Sequence, residues 1–146
     1  MTNILFGLIA AIAGVAGAFQ AAANAGLSSR IGLGAALVVN TSIVLLGTLA
    51  FYVARGPSGS LFPSDAPWSL YVGGICGFVI LLSLAFVFPK IGAALAIALV
   101  VLGQGGAALA IDHFGLLGMP KEPITLARVG GLLLVGGGVV LMRGVG

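Results

Sequence analysis

The stretch Trp68–Ile111, WSLYVGGICGFVILLSLAFVFPKIGAALAIALVVLGQGGAALAI, decides the fold, because Lys90 is its only charged residue. Read as one helix at ~1.5 Å per residue, it would reach roughly twice the ~30 Å hydrocarbon core of a bilayer, so it must hold two spans. The turn is written inside it at Phe88-Pro89-Lys90-Ile91-Gly92. Proline removes a backbone donor there, and the long lysine stem lets its ammonium reach the headgroups. The sequence therefore predicts one span over 68–88 and the next over 91–111.

The same reading extends in both directions. Toward the N-terminus an uncharged run covers 4–23 and ends at Asn24-Ala25-Gly26; another covers 31–53 and is closed by Arg55-Gly56-Pro57. Pro57, Pro63 and Pro67 mark the loop before Trp68, and a second loop, Asp112 to Pro123, precedes a last span over 124–142. In lipid every backbone polar group must be satisfied internally, and long uncharged runs do this as helices. The expectation is an all-α membrane protein with five transmembrane helices, residues 1–146 forming a single domain. Ala21-Ala22-Ala23-Asn24-Ala25 has the small residues of a signal-peptidase site, but no Lys or Arg precedes Arg30, so the first span is expected to be retained.

Composition agrees. Of 146 residues, 60% are hydrophobic and 6% charged, where soluble domains carry about 25% charge. With a mean hydropathy of +1.28, the outer surface must face hydrocarbon. Six Lys and Arg scattered singly form no basic patch, so no nucleic-acid partner is expected. One His and one Cys cannot assemble a metal set or a nucleophile–base pair in a protomer; neither an enzyme nor a cofactor is expected. Small residues at four-residue spacing, Ala10-Gly14-Ala18, Gly73-Gly77 and Gly92-Ala96, offer close helix approach. Tyr52, Trp68 and Tyr71 fall at span ends, where aromatic belts sit.

Five spans place the termini on opposite faces. Arg55, Lys121 and Arg128 then share the face of the N-terminus, and Arg30, Lys90 and Arg143 share the other. Orientation follows Lys/Arg asymmetry, and here the two sides balance. The expected consequence is insertion both ways and an antiparallel homodimer of ten helices with inverted two-fold symmetry, the arrangement that inverted repeats give within one chain.

No Asp, Glu, Lys or Arg lies deep in a span. The candidate substrate-pathway groups are amides: Gln20 and Asn24, four apart on one face of the first span; Asn40 beside Thr41 and Ser42 in the second; and Gln104, bracketed by Gly103, Gly105 and Gly106. Gln20 and Gln104 are equally read as polar contacts between helices; for Asn24 and Asn40 that reading is preferred, as it is for Thr41, Ser42, Thr48 and Ser83, whose hydroxyls can bond back to their own helix. Buried amides need a partner or a wet cavity. Asp112 and His113, ending the fourth span, are the candidate proton-coupling pair; the alternative is that they cap a helix and order a loop.

On these residues the chain resembles the YdcZ-type family of the drug/metabolite transporter superfamily, short five-span bacterial proteins. The resemblance covers nearly the whole chain. It rests on Gln20-xxx-Asn24, on Phe88-Pro89-xx-Gly92, and above all on Leu102-Gly103-Gln104 followed by Ile111-Asp112-His113-Phe114-Gly115-Leu116-Leu117-Gly118. It implies a multi-pass protein of the bacterial inner membrane, related to ten-span transporters of two inverted five-span halves and to four-span multidrug exporters that dimerise antiparallel. Those four-span relatives depend on a Glu in their first span, and this first span has no acid, so their proton-antiport mechanism does not carry over. The expected function is a secondary transporter or facilitator of an unidentified small organic molecule by alternating access. A pocket lined by Gln20, Gln104 and rings such as Phe19 or Phe78 suits a neutral polar or a cationic substrate. The alternatives are a dual-topology channel and a non-transporting assembly partner with no cavity at Gln20.

Overall fold

A computed structural model describes residues 2–56 and 63–143. It is helical, with α1 at Thr2–Ile31, α2 at Leu33–Ala54, α3 at Val72–Ile91, α4 at Ala93–Phe114 and α5 at Leu126–Arg143. Single 3-10 turns at Trp68–Tyr71 and Leu116–Gly118 precede α3 and follow α4. All five helices are long and apolar enough to cross a membrane, the last with 18 residues. Pro57, within the expected loop, lies outside the described residues.

The ends of α1, α3 and α4 run past the expected spans, each to the residue before a glycine. The first was expected to stop before Asn24, yet α1 continues to Ile31. Its polar stretch is accommodated in the helix, the Ser28 hydroxyl donating to the Asn24 carbonyl at 2.7 Å and the Ser29 hydroxyl to the Gly26 carbonyl at 2.7 Å, so that both hydroxyls are satisfied. Likewise α3 passes through Pro89, losing one intrahelical bond, and ends at Ile91. The breaks themselves fall on glycine. Gly32 has φ 85° and ψ 153°, and Gly92 has φ 81° and ψ 158°, a region only glycine occupies without strain. Each break follows a basic residue and Ile, Arg30-Ile31-Gly32 and Lys90-Ile91-Gly92, and the cation complements the negative end of the helix it closes. Each carbonyl then starts the next helix, Gly32 accepting from the Ala36 N–H at 3.1 Å and Gly92 from the Ala96 N–H at 3.2 Å. Ala36 and Ala96 are both buried. This repeated device is the one sequence signal of internal similarity that the expected span boundaries overlooked.

Close backbone contacts gather the chain into two units, Met1–Pro89 and Lys90–Gly146. In the first, α1 and α2 pack closely; in the second, α4 and α5 do. The first unit buries Ala21, Asn24, Ala36, Leu37, Leu84, Ala85 and Phe88, and the second buries Ala96 and Val139. In the second unit, α4 and α5 approach where Gly105 faces Leu132: a Cβ at Gly105 would lie 2.9 Å from the Leu132 Cδ1. Of the expected packing stripe Ala10-Gly14-Ala18, Ala10 and Gly14 are exposed and Ala18 is half-buried among the described residues of the first unit; Ala96 of the third pair is buried. Large apolar side chains point outward along every helix, as lipid requires, and Trp68 is exposed at the foot of α3.

Candidate functional site

The first unit brings together three of the four expected amides. Gly32 reverses the chain so that α2 runs back along α1, and Gln20 meets Asn40 across the pair, its Nε2 donating to the Asn40 Oδ1 at 3.4 Å. Asn24 follows Gln20 one turn nearer the break and is buried, with 4% of its surface exposed. Neither the Asn24 Nδ2 nor the Asn40 Nδ2 has a hydrogen-bond partner. Such donors are costly to strand in an apolar interior, about 1–3 kcal/mol each by mutational measures.

A cavity of about 280 Å³ lies beside the pair, walled by Gln20, Thr41, Val44, Gly77, Ile80 and Leu81 from α1, α2 and α3. Thr41 also borders a larger cavity of about 450 Å³ between α2 and α3, together with Gly34, Val38, Ser42, Phe78 and Leu82. Mostly apolar walls carrying a few polar groups are the usual make-up of a small-molecule site. Thr41 and Ser42, read from sequence as contacts between helices, thus stand on cavity walls. Their position is set by the register of α2 against α3, which no local motif announces. Thr48 does bond back to its own helix, at 3.0 Å to the Val44 carbonyl and 2.9 Å to that of Leu45. Of the two expected rings, Phe78 lines the larger cavity, whereas Phe19 is 74% exposed and points away.

In the second unit, Gln104 is exposed on α4. A cavity of about 390 Å³ between α4 and α5 is walled by neighbours that include Gly105, Ala108, Asp112, Arg128 and Leu132, and Gln104 is not in that wall. Asp112 and His113 fasten the end of α4 to the start of α5. The Asp112 carboxylate lies 3.6 Å from the Arg128 guanidinium, which also meets Glu122 at 3.0 Å. The Asp112 carbonyl accepts from the Glu122 N–H at 2.8 Å, and His113 Nδ1 accepts from the Ile124 N–H at 3.3 Å. Gly115, at φ 63° and ψ 39°, closes α4 in the left-handed conformation that turns the chain back. Thr125 opens α5 by accepting the Arg128 N–H at 3.3 Å. Arg128 and Glu122 were missed as partners of Asp112. The available signal was an acid at the end of one span and a base in the first turn of the next, which an antiparallel pair brings together. Among the described residues no three His, Cys, Asp or Glu side chains are grouped to hold a metal ion.

The fold and these cavities define a multi-pass helical membrane protein with an amide-bearing pocket. Compared with models of known families, residues 5–141 match the family described as "Putative inner membrane exporter, YdcZ". The chain belongs to that family and is a multi-pass inner membrane protein. Family and helices fit a membrane transporter. No curated protein and no solved structure matched the chain.

Proposed function

We propose that the protein is a secondary transporter or facilitator that moves a small organic molecule across the inner membrane by alternating access. The observation that carries this reading is the cavity of about 280 Å³ whose wall includes Gln20, the hydrogen-bond partner of Asn40. A non-transporting assembly partner has no use for a cavity there. The description of the matched family, "Putative inner membrane exporter, YdcZ", supports outward movement in this reading.

The working unit in this reading is an antiparallel homodimer of ten helices. Its support is the equal share of Lys and Arg on the two faces, together with exposed small residues on α1, Ala10 and Gly14, left for a second copy to cover. Gln104 serves the pathway from the second unit. Where transport is proton-coupled, the half-buried Asp112 and its neighbour His113 are the titratable pair that couples it.

Purified protein in liposomes, screened against small organic solutes beside Gln20→Ala and Gln104→Ala, tests the proposal. Substrate flux that both variants leave undiminished would remove these amides from the pathway. Unitary currents carrying far more than ~10³ ions per second, beyond ordinary turnover, would replace the transporter with a channel. C-terminal reporters active on only one side of the membrane would end the dual-insertion reading.

A further inference from the structure

The cavity of about 390 Å³ between α4 and α5 is charged at one end and apolar along the rest. Its charged end is made by Asp112, in the last turn of α4, and Arg128, in the first turn of α5, where a membrane span meets the headgroups. From Asp112 the wall continues to Val101 and from Arg128 to Val135, roughly 16 Å along α4 and roughly 10 Å along α5 at the helical rise. Those lengths compare with one leaflet of the ~30 Å hydrocarbon core. Between these limits the wall holds only Gly, Ala and Leu. Val101 and Val135 are exposed, so the apolar part is a groove open toward lipid.

The charged end is incompletely matched. The Asp112 carboxylate stands 3.6 Å from the Arg128 Nη1, beyond hydrogen-bond length, and no described residue donates a hydrogen bond to it. Its side chain is 42% exposed. Arg128 is drawn away by Glu122 at 3.0 Å, and Glu122 is not in the wall. An acid in the last turn adds to the negative end of α4, where a cation is the favoured companion, and Arg128 adds to the positive end of α5. The mouth of the groove thus presents a negative and a positive group side by side. A fatty acid or an anionic phospholipid would bring its charge against Asp112 and Glu122 with no cation to offer them. A choline headgroup carries the cation but no N–H, whereas a primary ammonium donates three hydrogen bonds.

We propose that the groove between α4 and α5 is a binding site for a zwitterionic phospholipid with a primary ammonium, a phosphatidylethanolamine. One acyl chain lies along the apolar wall, the ammonium donates to the Asp112 carboxylate, and the phosphate stands at the first turn of α5 beside Arg128. The site belongs to the second unit alone and does not rest on the transport reading.

The test uses the full chain purified in mild detergent and incubated with an equimolar mixture of phosphatidylethanolamine, phosphatidylcholine and phosphatidylglycerol bearing identical chains. Gel filtration removes free lipid, and mass spectrometry counts what stays with the protein. Phosphatidylethanolamine should be enriched about tenfold over the other two, the factor carried by one charge-assisted hydrogen bond. Asp112→Asn, which keeps the side chain's shape, should remove its enrichment over phosphatidylcholine, and Asp112→Glu, which keeps the carboxylate, should retain most of it. Ala108→Trp fills the groove below the charged end from an exposed position on its wall and should lower retention of phosphatidylethanolamine to a similar extent. Equal retention of the three lipids by the wild type would reduce the groove to ordinary contact with bulk lipid and overturn the proposal. Enrichment that survives Asp112→Asn would overturn the role of the carboxylate, and enrichment that survives Ala108→Trp would overturn the placement of the chain. No retained lipid would overturn the proposal as well, and elution as a dimer would then give the groove to a second copy.

Discussion

Replacing Asn24 by leucine separates what this residue does for stability from what it does for function. Leucine matches the branching of asparagine, with two methyl groups where the amide oxygen and nitrogen stand, and it removes the unpaired donor; its bulkier tetrahedral end costs part of what that removal returns. The amide is 4% exposed and its Nδ2 has no partner, so the wild-type protein bears the desolvation of a donor that nothing repays. That cost is about 1–3 kcal/mol by mutational measures. Polar side-chain contacts in membranes average ~0.6 kcal/mol, which sets the floor if the amide finds weak compensation. The Ser28 hydroxyl bonds the backbone carbonyl of residue 24, not its side chain, and is unaffected. Asn24→Leu should therefore stabilise the protein by at most about 1–3 kcal/mol, less the cost of fitting the larger side chain, while lowering transport. Reversible unfolding in mixed micelles of mild detergent and SDS, followed by the fluorescence of Trp68, measures the first, and liposome flux the second. A loss of ~1 kcal/mol or more would refute the reasoning, because it would mean that the amide holds the helices together through partners of its own.

Three further outcomes follow from named geometry. Gly92→Ala should cost about 1–3 kcal/mol in the same assay although nothing stands within 4 Å of the added methyl, because the penalty lies in the backbone at φ 81°. Arg128→Met should cost only ~1 kcal/mol, since Arg128, Asp112 and Glu122 are 37%, 42% and 58% exposed and solvent screens both pairs; a double-mutant cycle with Glu122→Gln gives the share of the shorter pair. If Asp112 couples protons to transport, Asp112→Asn should preserve downhill flux and abolish its response to an imposed pH gradient, read by a fluorescent pH dye inside the liposomes.

How far the sequence discloses this protein depends on the range of the interaction concerned. The number of spans is local: uncharged runs too long for one crossing, interrupted at Arg30, Lys90 and the proline-bearing loop, leave little freedom. Helix ends are less local. Asn24 and Gly26 look like an ending, yet α1 runs on to Ile31 with its serine hydroxyls satisfied on carbonyls of the same helix. Pro89 looks like a break, but its φ is already helical, and the helix breaks only at Gly92. Pairing is the least local. Gln20 and Asn40 stand twenty residues apart, and their meeting depends on Gly32 lying close to halfway between them as the pivot of the hairpin. With that pivot identified, the pair can be read from sequence; with the helix end placed at residue 23, it cannot. Arg128 and Asp112 are the same case at the other hairpin, where the turn at Gly115 and the loop to Thr125 set which charges face.

The central claim is that water and solute reach Gln20 from outside the bilayer, and cysteine accessibility tests it without knowledge of the substrate. Cys76 is the only native thiol, so Cys76→Ala provides a blank background. In that background Gln20→Cys should react with a membrane-impermeant, charged methanethiosulfonate, while Phe19→Cys, whose native side chain is 74% exposed on the outward surface of α1, should stay unreactive in lipid. Equal inertness at the two positions would contradict the account, since the cavity beside Gln20 would then be closed to water and could carry nothing across.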